Sequence, residues 1–322
     1  MTTKLLLVSA TVTMILGSCS GGGNDSADVA VAEPESGPEL LASHYGDGEP
    51  MWVGTVERSH LMQPPFDEWY ESGYEGYAPS PDAVAALSTS LDSVDVEVYL
   101  GTWCSDSTRD VPRLNRVLDD AGFSIDRLEM IALSDRPGEF KFSPGGREQA
   151  RLIHRTPTIV LSRDGQEIGR IVQNAIESVE EDMLAIANGE PYVPRFGAEA
   201  RLHEIVTSGG MSALEERTTS GLADELGALG DPDSLWHYAK FDLLVNDKPQ
   251  EAAAVLDAFL QMYPESARGH LLLAQAHRDL GELNQALIDV RRSLEYDASN
   301  EEAKSLEQEL SGENSVVSDL RR

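Results

Sequence analysis

Cysteine is almost missing from this chain: 322 residues carry two, Cys19 and Cys104. That excludes a disulfide framework as the source of stability. Positive charge is also scarce. Lys and Arg number 25 against 56 Asp and Glu, a formal net charge of −31. Such a surface argues against binding nucleic acid or an anionic membrane through a basic patch. It reads plainly as solubility, or alternatively as adaptation to a saline habitat. The seven histidines are scattered, and no pair has ligand spacing on a common element with cysteine or carboxylate, so neither metal nor cofactor is expected. There is no phosphate-binding glycine loop; Gly21-Gly22-Gly23 sits in a polar stretch. No Ser-His-Asp arrangement is supported by spacing. Long apolar runs are lacking as well: Leu5 to Leu16 is too short to span a bilayer as a mature helix. What remains is a hydrophobic content of 41%, enough for real cores, and a length that suits two domains with connecting pieces.

The N-terminus reads as a targeting segment, residues 1–19. Lys4 gives a weakly basic start, the apolar run follows, and Leu16-Gly17-Ser18-Cys19 closes it. These four residues resemble a bacterial lipoprotein lipobox. The resemblance implies cleavage before Cys19, acylation of that residue and a lipid-anchored place in the cell envelope, on the periplasmic face. Ser20, rather than an aspartate, follows the cysteine, which in enteric-type bacteria points to the outer membrane. With Cys19 acylated, Cys104 is the single thiol of the mature chain. An internal dithiol cycle is then impossible.

Cys104 stands where an apolar run, Val94 to Leu100, meets a helical pattern with Val111, Leu114, Val117 and Leu118 on one face. A cysteine at such a junction lies among free backbone N–H groups at the positive end of a helix dipole, an environment that favours thiolate. Trp103 precedes it, Pro112 lies eight residues on, and Arg155-Thr156-Pro157-Thr158 comes downstream. These features resemble the thioredoxin superfamily, with strand, Trp-Cys-x-x-Cys, helix, and a cis-proline segment facing the cysteine. Ser107 stands in place of the second cysteine. The resemblance implies Cys104, Ser107, Trp103, Thr156 and Pro157 as the active-site set, with Ser107 able to donate a hydrogen bond to Cys104 and a cis Thr156-Pro157 bond docking an extended substrate.

The resemblance covers residues 81–192, and the pattern there reads β-α-β-α-β-β-α. Ser80-Pro81 starts a helix to Leu91. Strands are expected over Val94 to Leu100, Ile125 to Leu133, Thr158 to Ser162 and Glu167 to Val172, the last two joined by the hairpin signal Asp164-Gly165. A short helix is expected after Arg147, and a terminal one from Ile176 to Asn188. The fold class is therefore an α/β domain, a central mixed sheet flanked by helices. Before it, residues 20–45 lack apolar periodicity and read as a flexible tether. Residues 46–80 are aromatic and irregular, with Trp52, Phe66, Trp69, Tyr70, Tyr74 and Tyr77. They read either as an extension packed on the α/β domain or as a lid over Cys104.

After a helical connector, residues 193–232, with Gly209-Gly210 between two helices, the chain repeats every 34 residues from Asp233. Trp236, Ala252 and Pro264 fall at positions 4, 20 and 32 of the first unit; Ala274, Gly281, Leu283 and Ala286 fall at 8, 15, 17 and 20 of the second. This resembles the tetratricopeptide repeat and implies an all-α domain over 233–311, capped from Glu301, with a tail over 312–322. Lys240 breaks the small-residue rule at position 8 of the first unit. Two repeats are marginal alone, so the connector helices are expected to stack on them.

Around Cys104, His154 and Arg155 carry two readings: cations reaching the sulfur, or residues of the surrounding loop. Asp106 reads as a helix-start residue, and Arg109 with Asp110 as a solvated helix face. Two functions follow. One is an envelope thiol–disulfide exchange or isomerase-like protein with one active cysteine, acting on envelope proteins or small thiols while the repeats recruit protein partners. The other is a non-catalytic adaptor on the same scaffold.

Overall fold

The computed structural model describes residues 37–217 and 219–320. Cys19, the lipobox and most of the expected tether lie outside the described residues. The strand β1, Glu39–Ala42, falls inside that expected tether. It has almost no buried side chains, so backbone pairing with β2, Pro50–Val56, holds it. That is why no apolar alternation announced it. β2 in turn pairs antiparallel with a central strand, so the aromatic segment is part of the sheet and not an appendage. Two helices complete the segment, α1 at Arg58–Leu61 and α2 at Asp67–Glu75.

The next elements follow the local pattern closely. Ser80 caps α3, Pro81–Ser90, by accepting from the Ala83 N–H, and Pro81 sits in the first turn. β3 is Val94–Leu100, and α4 is Ser105–Asp120 with Cys104 as its N-cap. The expected second strand begins later than its apolar pattern: Ile125–Arg127 is a 3₁₀ turn and β4 is Leu128–Ala132. After a long loop comes the four-residue α5, Arg147–Ala150. β5, Thr158–Arg163, and β6, Gln166–Val172, close through Asp164 and Gly165, both at positive φ as a tight primed turn requires. α6 is Val179–Ala187.

The six strands order as β1-β2-β4-β3-β5-β6, with β3 and β4 parallel and every other neighbour antiparallel. Period-two alternation in β3 splits its side chains between two cores. Val94, Val96, Val98 and Leu100 join the large core with the inner faces of α3, α4 and α6. Tyr99 joins Ile131, Leu133, Ile153 and Val160 on the other side. Val111, Leu114, Val117 and Leu118 are the buried stripe of α4, each contributing about 2 kcal/mol by burial. Asp110 corrects the expectation of a solvated face: it is buried, and its carboxylate accepts from Arg109 at 2.6 and 2.9 Å and from Arg113 at 3.4 Å.

The C-terminal part is helical throughout. α7, Gly197–Glu215, kinks at Gly210, and α8 spans Thr219–Gly227. α9, Leu235–Tyr238, runs into a π-helical stretch, Ala239–Leu244, before α10, Pro249–Met262. Lys240, where the repeat pattern departs, lies in that π stretch. α11, Ala267–Asp279, and α12, Leu283–Tyr296, turn at Gly281, whose φ of 77° suits glycine. α13 runs Glu301–Leu320, so the backbone expected as a tail from 312 continues a helix. One core joins α7, α8, α9 and α10 with part of α11; a second joins α11, α12 and α13. Among the described residues no helix is long and apolar enough to cross a membrane.

Candidate functional site

Cys104 occupies the junction the sequence marks. Its φ and ψ of −94° and 121° are extended, its N–H reaches Gly101 O at 2.9 Å, and its carbonyl accepts the first helical bond, from Thr108 N–H at 2.9 Å. The thiol is partly exposed and donates to Thr156 O at 3.4 Å. The Thr156-Pro157 bond is cis. Cys104, Thr156 and Pro157 are therefore brought together from segments some fifty positions apart, the sulfur-to-carbonyl pair spanning 52.

Trp103 and Ser107 flank the cysteine in different ways. The Trp103 indole N–H donates to Leu133 O at 2.8 Å, and its ring lies 5.1 Å from that of Phe140. A side chain on Gly101 would sit 2.6 Å from this indole, so glycine is needed there for the close approach. Ser107 is fully buried, and its hydroxyl accepts from the Gly101 N–H at 3.1 Å. Its hydrogen bond thus ties the helix start to the loop behind the cysteine.

A cavity of about 290 Å³ opens at the thiol, lined by Tyr45, Trp103, Asp106, Phe140, Arg155, Gln173, His237 and Phe241, with Lys141 and Thr156. The residues of 46–80 do not line it. Their rings pack among themselves and around α4: Trp52 against His60 and Phe66, Tyr70 against Tyr74, and Tyr77 under Arg113. The lid reading of that segment is thereby replaced by a roof from elsewhere. Tyr45 is placed by Asp135, which accepts from Ser43 Oγ at 2.5 Å and from the His44 and Tyr45 N–H groups at 2.8 and 2.9 Å. Phe140 is placed by Asn246, which bonds both its N–H and its carbonyl, at 2.8 and 3.2 Å. His237 comes from α9, and Phe241 from the π stretch. Such stretches recur at functional sites, where they re-aim side chains.

The charges at the cavity are all paired. Arg155 chelates Glu199 on α7, at 2.8 and 2.5 Å, and also donates to Gln173 Oε1, while its guanidinium lies 3.7 Å from the Phe196 ring. Gln173 passes the chain on, donating to Asp106, which also accepts from Arg109 at 2.7 Å. Asp106 is thus more than a helix-start residue, since it connects α4 to the segment after β6. Lys141 is buried against Asp242 of the π stretch, at 2.8 and 3.0 Å, and against His154 O. His154 does not act as a cation at the sulfur. It is 1% exposed, and burial, with His203, Lys141 and Arg155 nearby, holds its imidazole well below the usual range. Among the described residues no cluster of three or more His, Cys, Asp or Glu has the geometry to hold a metal ion.

Tyr45, Phe140, Lys141, Gln173, His237 and Phe241 were missed by sequence reasoning. Only Lys240, beside Phe241, left a trace, as the break in the repeat pattern.

This junction makes the fold acid-sensitive. His154, His203 and His237 are all held neutral, chiefly by burial and then by neighbouring basic groups; His203 falls to about 3 and His237 to about 2. A base whose folded pKa is depressed stabilises the fold above its unfolded value of about 6.5 and loses that contribution as pH falls, by at most ~1.4 kcal/mol per pH unit each. Asp242 works oppositely: burial raises it to about 6, so its contribution is full below 3.8 and lost as pH rises through about 6. Three bases against one acid leave a net loss on acidification below pH ~6.5. Urea midpoints at pH 7.5 and 5, in ~0.5 M salt to screen surface repulsion, are expected to fall; a flat profile would contradict neutral histidines here.

In comparisons with known proteins, no family model and no curated protein matches this chain, so the site is argued from its own geometry.

Proposed function

We propose that the chain is a thioredoxin-like thiol–disulfide exchange protein with one active cysteine, held in a bacterial envelope by lipid on Cys19, with a tetratricopeptide-like C-terminal part. The carrying observation is the partly exposed Cys104 thiol at the start of α4, 3.4 Å from the Thr156 carbonyl of a cis Thr156-Pro157 pair, at the mouth of a cavity. The thiolate attacks one sulfur of a substrate disulfide. A new bond joins Cys104 to that sulfur, the substrate's S–S bond breaks, and the departing thiolate takes up a proton. No electrons enter or leave. With no second thiol in the mature chain, release needs the substrate's own freed thiol or another thiol. That makes reshuffling or covalent capture the natural outcome, rather than net oxidation.

A second reading, an adaptor without chemistry, is favoured by the groove of about 800 Å³ between the repeat helices, lined by Trp236, Phe259, Met262, Tyr263, Arg268 and Asn300. One experiment separates the two. Rapid acid quench and alkylation of cells expressing the chain is expected to capture envelope proteins in reducible adducts with the wild type and none with Cys104→Ser. Equal capture, or none with either, removes the exchange reading and leaves the adaptor.

A further inference from the structure

The cavity at Cys104 is aromatic, small and without a free charge. Tyr45 and Phe140 meet edge to face at 5.8 Å, Phe140 and Phe241 stack at 5.7 Å, Trp103 tilts on Phe140 at 5.1 Å, and His237 on Phe241 at 4.7 Å. Tyr45 forms an open rim at 46% exposed, while Phe140 is buried. The two cations that border the space are consumed by other partners: Arg155 by Glu199, which is fully buried, and Lys141 by Asp242. Asp106 is held by Arg109 and Gln173. An anionic ligand would find no unpaired cation to offset its desolvation, which costs several kcal/mol per ion, and would approach against a chain of net charge −31. The volume, about 290 Å³, lies at the bottom of the range for ligand pockets and suits one large side chain.

Resting on the exchange reading above, we propose that Tyr45, Phe140 and Phe241 form a specificity pocket. It selects polypeptide disulfides whose cysteine is flanked by an uncharged aromatic or large aliphatic side chain, and it disfavours anionic disulfides such as oxidised glutathione. The flanking side chain lies against these rings, in the cavity they line, while the sulfur meets Cys104. Aromatic and edge contacts of this kind reward apolar area and geometry together. Because Phe241 and His237 come from the helical part, that part completes the exchange site as well as extending away from it.

The test uses the full chain, in ~0.5 M salt so that long-range repulsion is screened. Three probes are compared: a neutral blocked peptide disulfide with Phe beside each cysteine, the same peptide with Asp in place of Phe, and oxidised glutathione. Mass spectrometry follows the rate of adduct formation on Cys104. The Phe peptide is expected to react at least ~10-fold faster than either anionic probe, the scale of discrimination one apolar pocket provides. Phe241→Ala and the rim variant Tyr45→Ala, which removes a ring that is 46% exposed and so disturbs the fold less than a buried one, are each expected to shrink that ratio several-fold. Equal rates for the three probes, or a ratio unchanged in Tyr45→Ala, overturn the pocket and leave exchange standing. No adduct with any probe, while iodoacetamide still alkylates Cys104, overturns exchange itself and the pocket with it.

Discussion

Lys141→Ala is expected to lower the stability of the chain by about 3–5 kcal/mol at pH 7.5, because it leaves a buried carboxylate without its cation. The Lys141 ammonium meets both Asp242 oxygens and the His154 carbonyl, and both ionic partners are less than 10% exposed. Lys141 sits at φ 62°, so alanine inherits the same left-handed backbone and the loss comes from the buried side chain, ammonium and methylenes together. The loss also depends on pH in a defined direction. Asp242 already titrates at about 6 through burial, with Lys141 pulling it down. Without Lys141 it is protonated over a wider range, so the penalty is largest above pH ~6 and shrinks below it. Lys141→Met combined with Asp242→Leu replaces the pair by apolar groups and is expected to lose far less than the single variant. Equilibrium urea denaturation of the three proteins is the measurement. A loss under ~1 kcal/mol for Lys141→Ala would mean that solvent reaches the pair and that this junction of the helical and α/β parts is loose.

That junction marks the boundary of what could be read from the sequence. Much of what local periodicity builds was legible, though it placed the start of β4 too early and ran one helix across the break between α7 and α8. β3 and α4 follow from Val94 to Leu100 and from the spacing of Val111, Leu114, Val117 and Leu118; the β5–β6 turn follows from Asp164-Gly165, and the bend of α7 from Gly209-Gly210. β1 was illegible because its side chains are mostly exposed and only its backbone pairs. β2 was hidden by Pro50 at its first residue and by Gly54 at φ 104°, both of which read as loop. Cys104 and Thr156 were legible as separate motifs, and their meeting was expected from the resemblance alone, not from any period in the chain. The roof left one trace in the sequence, the break in the repeat pattern at Lys240. Phe140 and Phe241 are 101 positions apart and ordinary in their own segments; they meet because Asn246 clamps the Phe140 backbone and Asp242 holds Lys141. Pairings of this separation leave no period in the chain. The misreading of Asp110 has another origin, since its partners are local: a carboxylate on a helix looks solvated until Arg109 and Arg113 close over it.

If Cys104 exchanges disulfides as proposed, Ser107→Cys is expected to change the fate of the adduct rather than its formation. In the wild type, with Cys19 acylated as proposed, a substrate held on Cys104 waits for an outside thiol. A cysteine at 107 stands one helical turn further on, and i,i+3 side chains of a helix are neighbours at about 5–6 Å between Cβ atoms, within disulfide reach after a small shift. Its thiolate would attack Cys104 Sγ, forming a 104–107 bond, breaking the Cys104–substrate bond and releasing the substrate as thiol, so atoms and electrons balance within the complex. A tethered thiol acts at a millimolar effective concentration or above, so against ~10 µM external thiol the adduct should disappear on the order of a hundredfold faster. The fold should bear the change. Ser107 Oγ accepts a single bond, from Gly101 N–H at 3.1 Å, whose loss costs about 1 kcal/mol. Quenched time courses of the same peptide adduct on both proteins, resolved by mass, make the comparison. If the adduct persists on the Ser107→Cys protein, the start of α4 does not bring residues 104 and 107 into reach of each other. The serine would then be a packing residue of the Gly101 loop and nothing more.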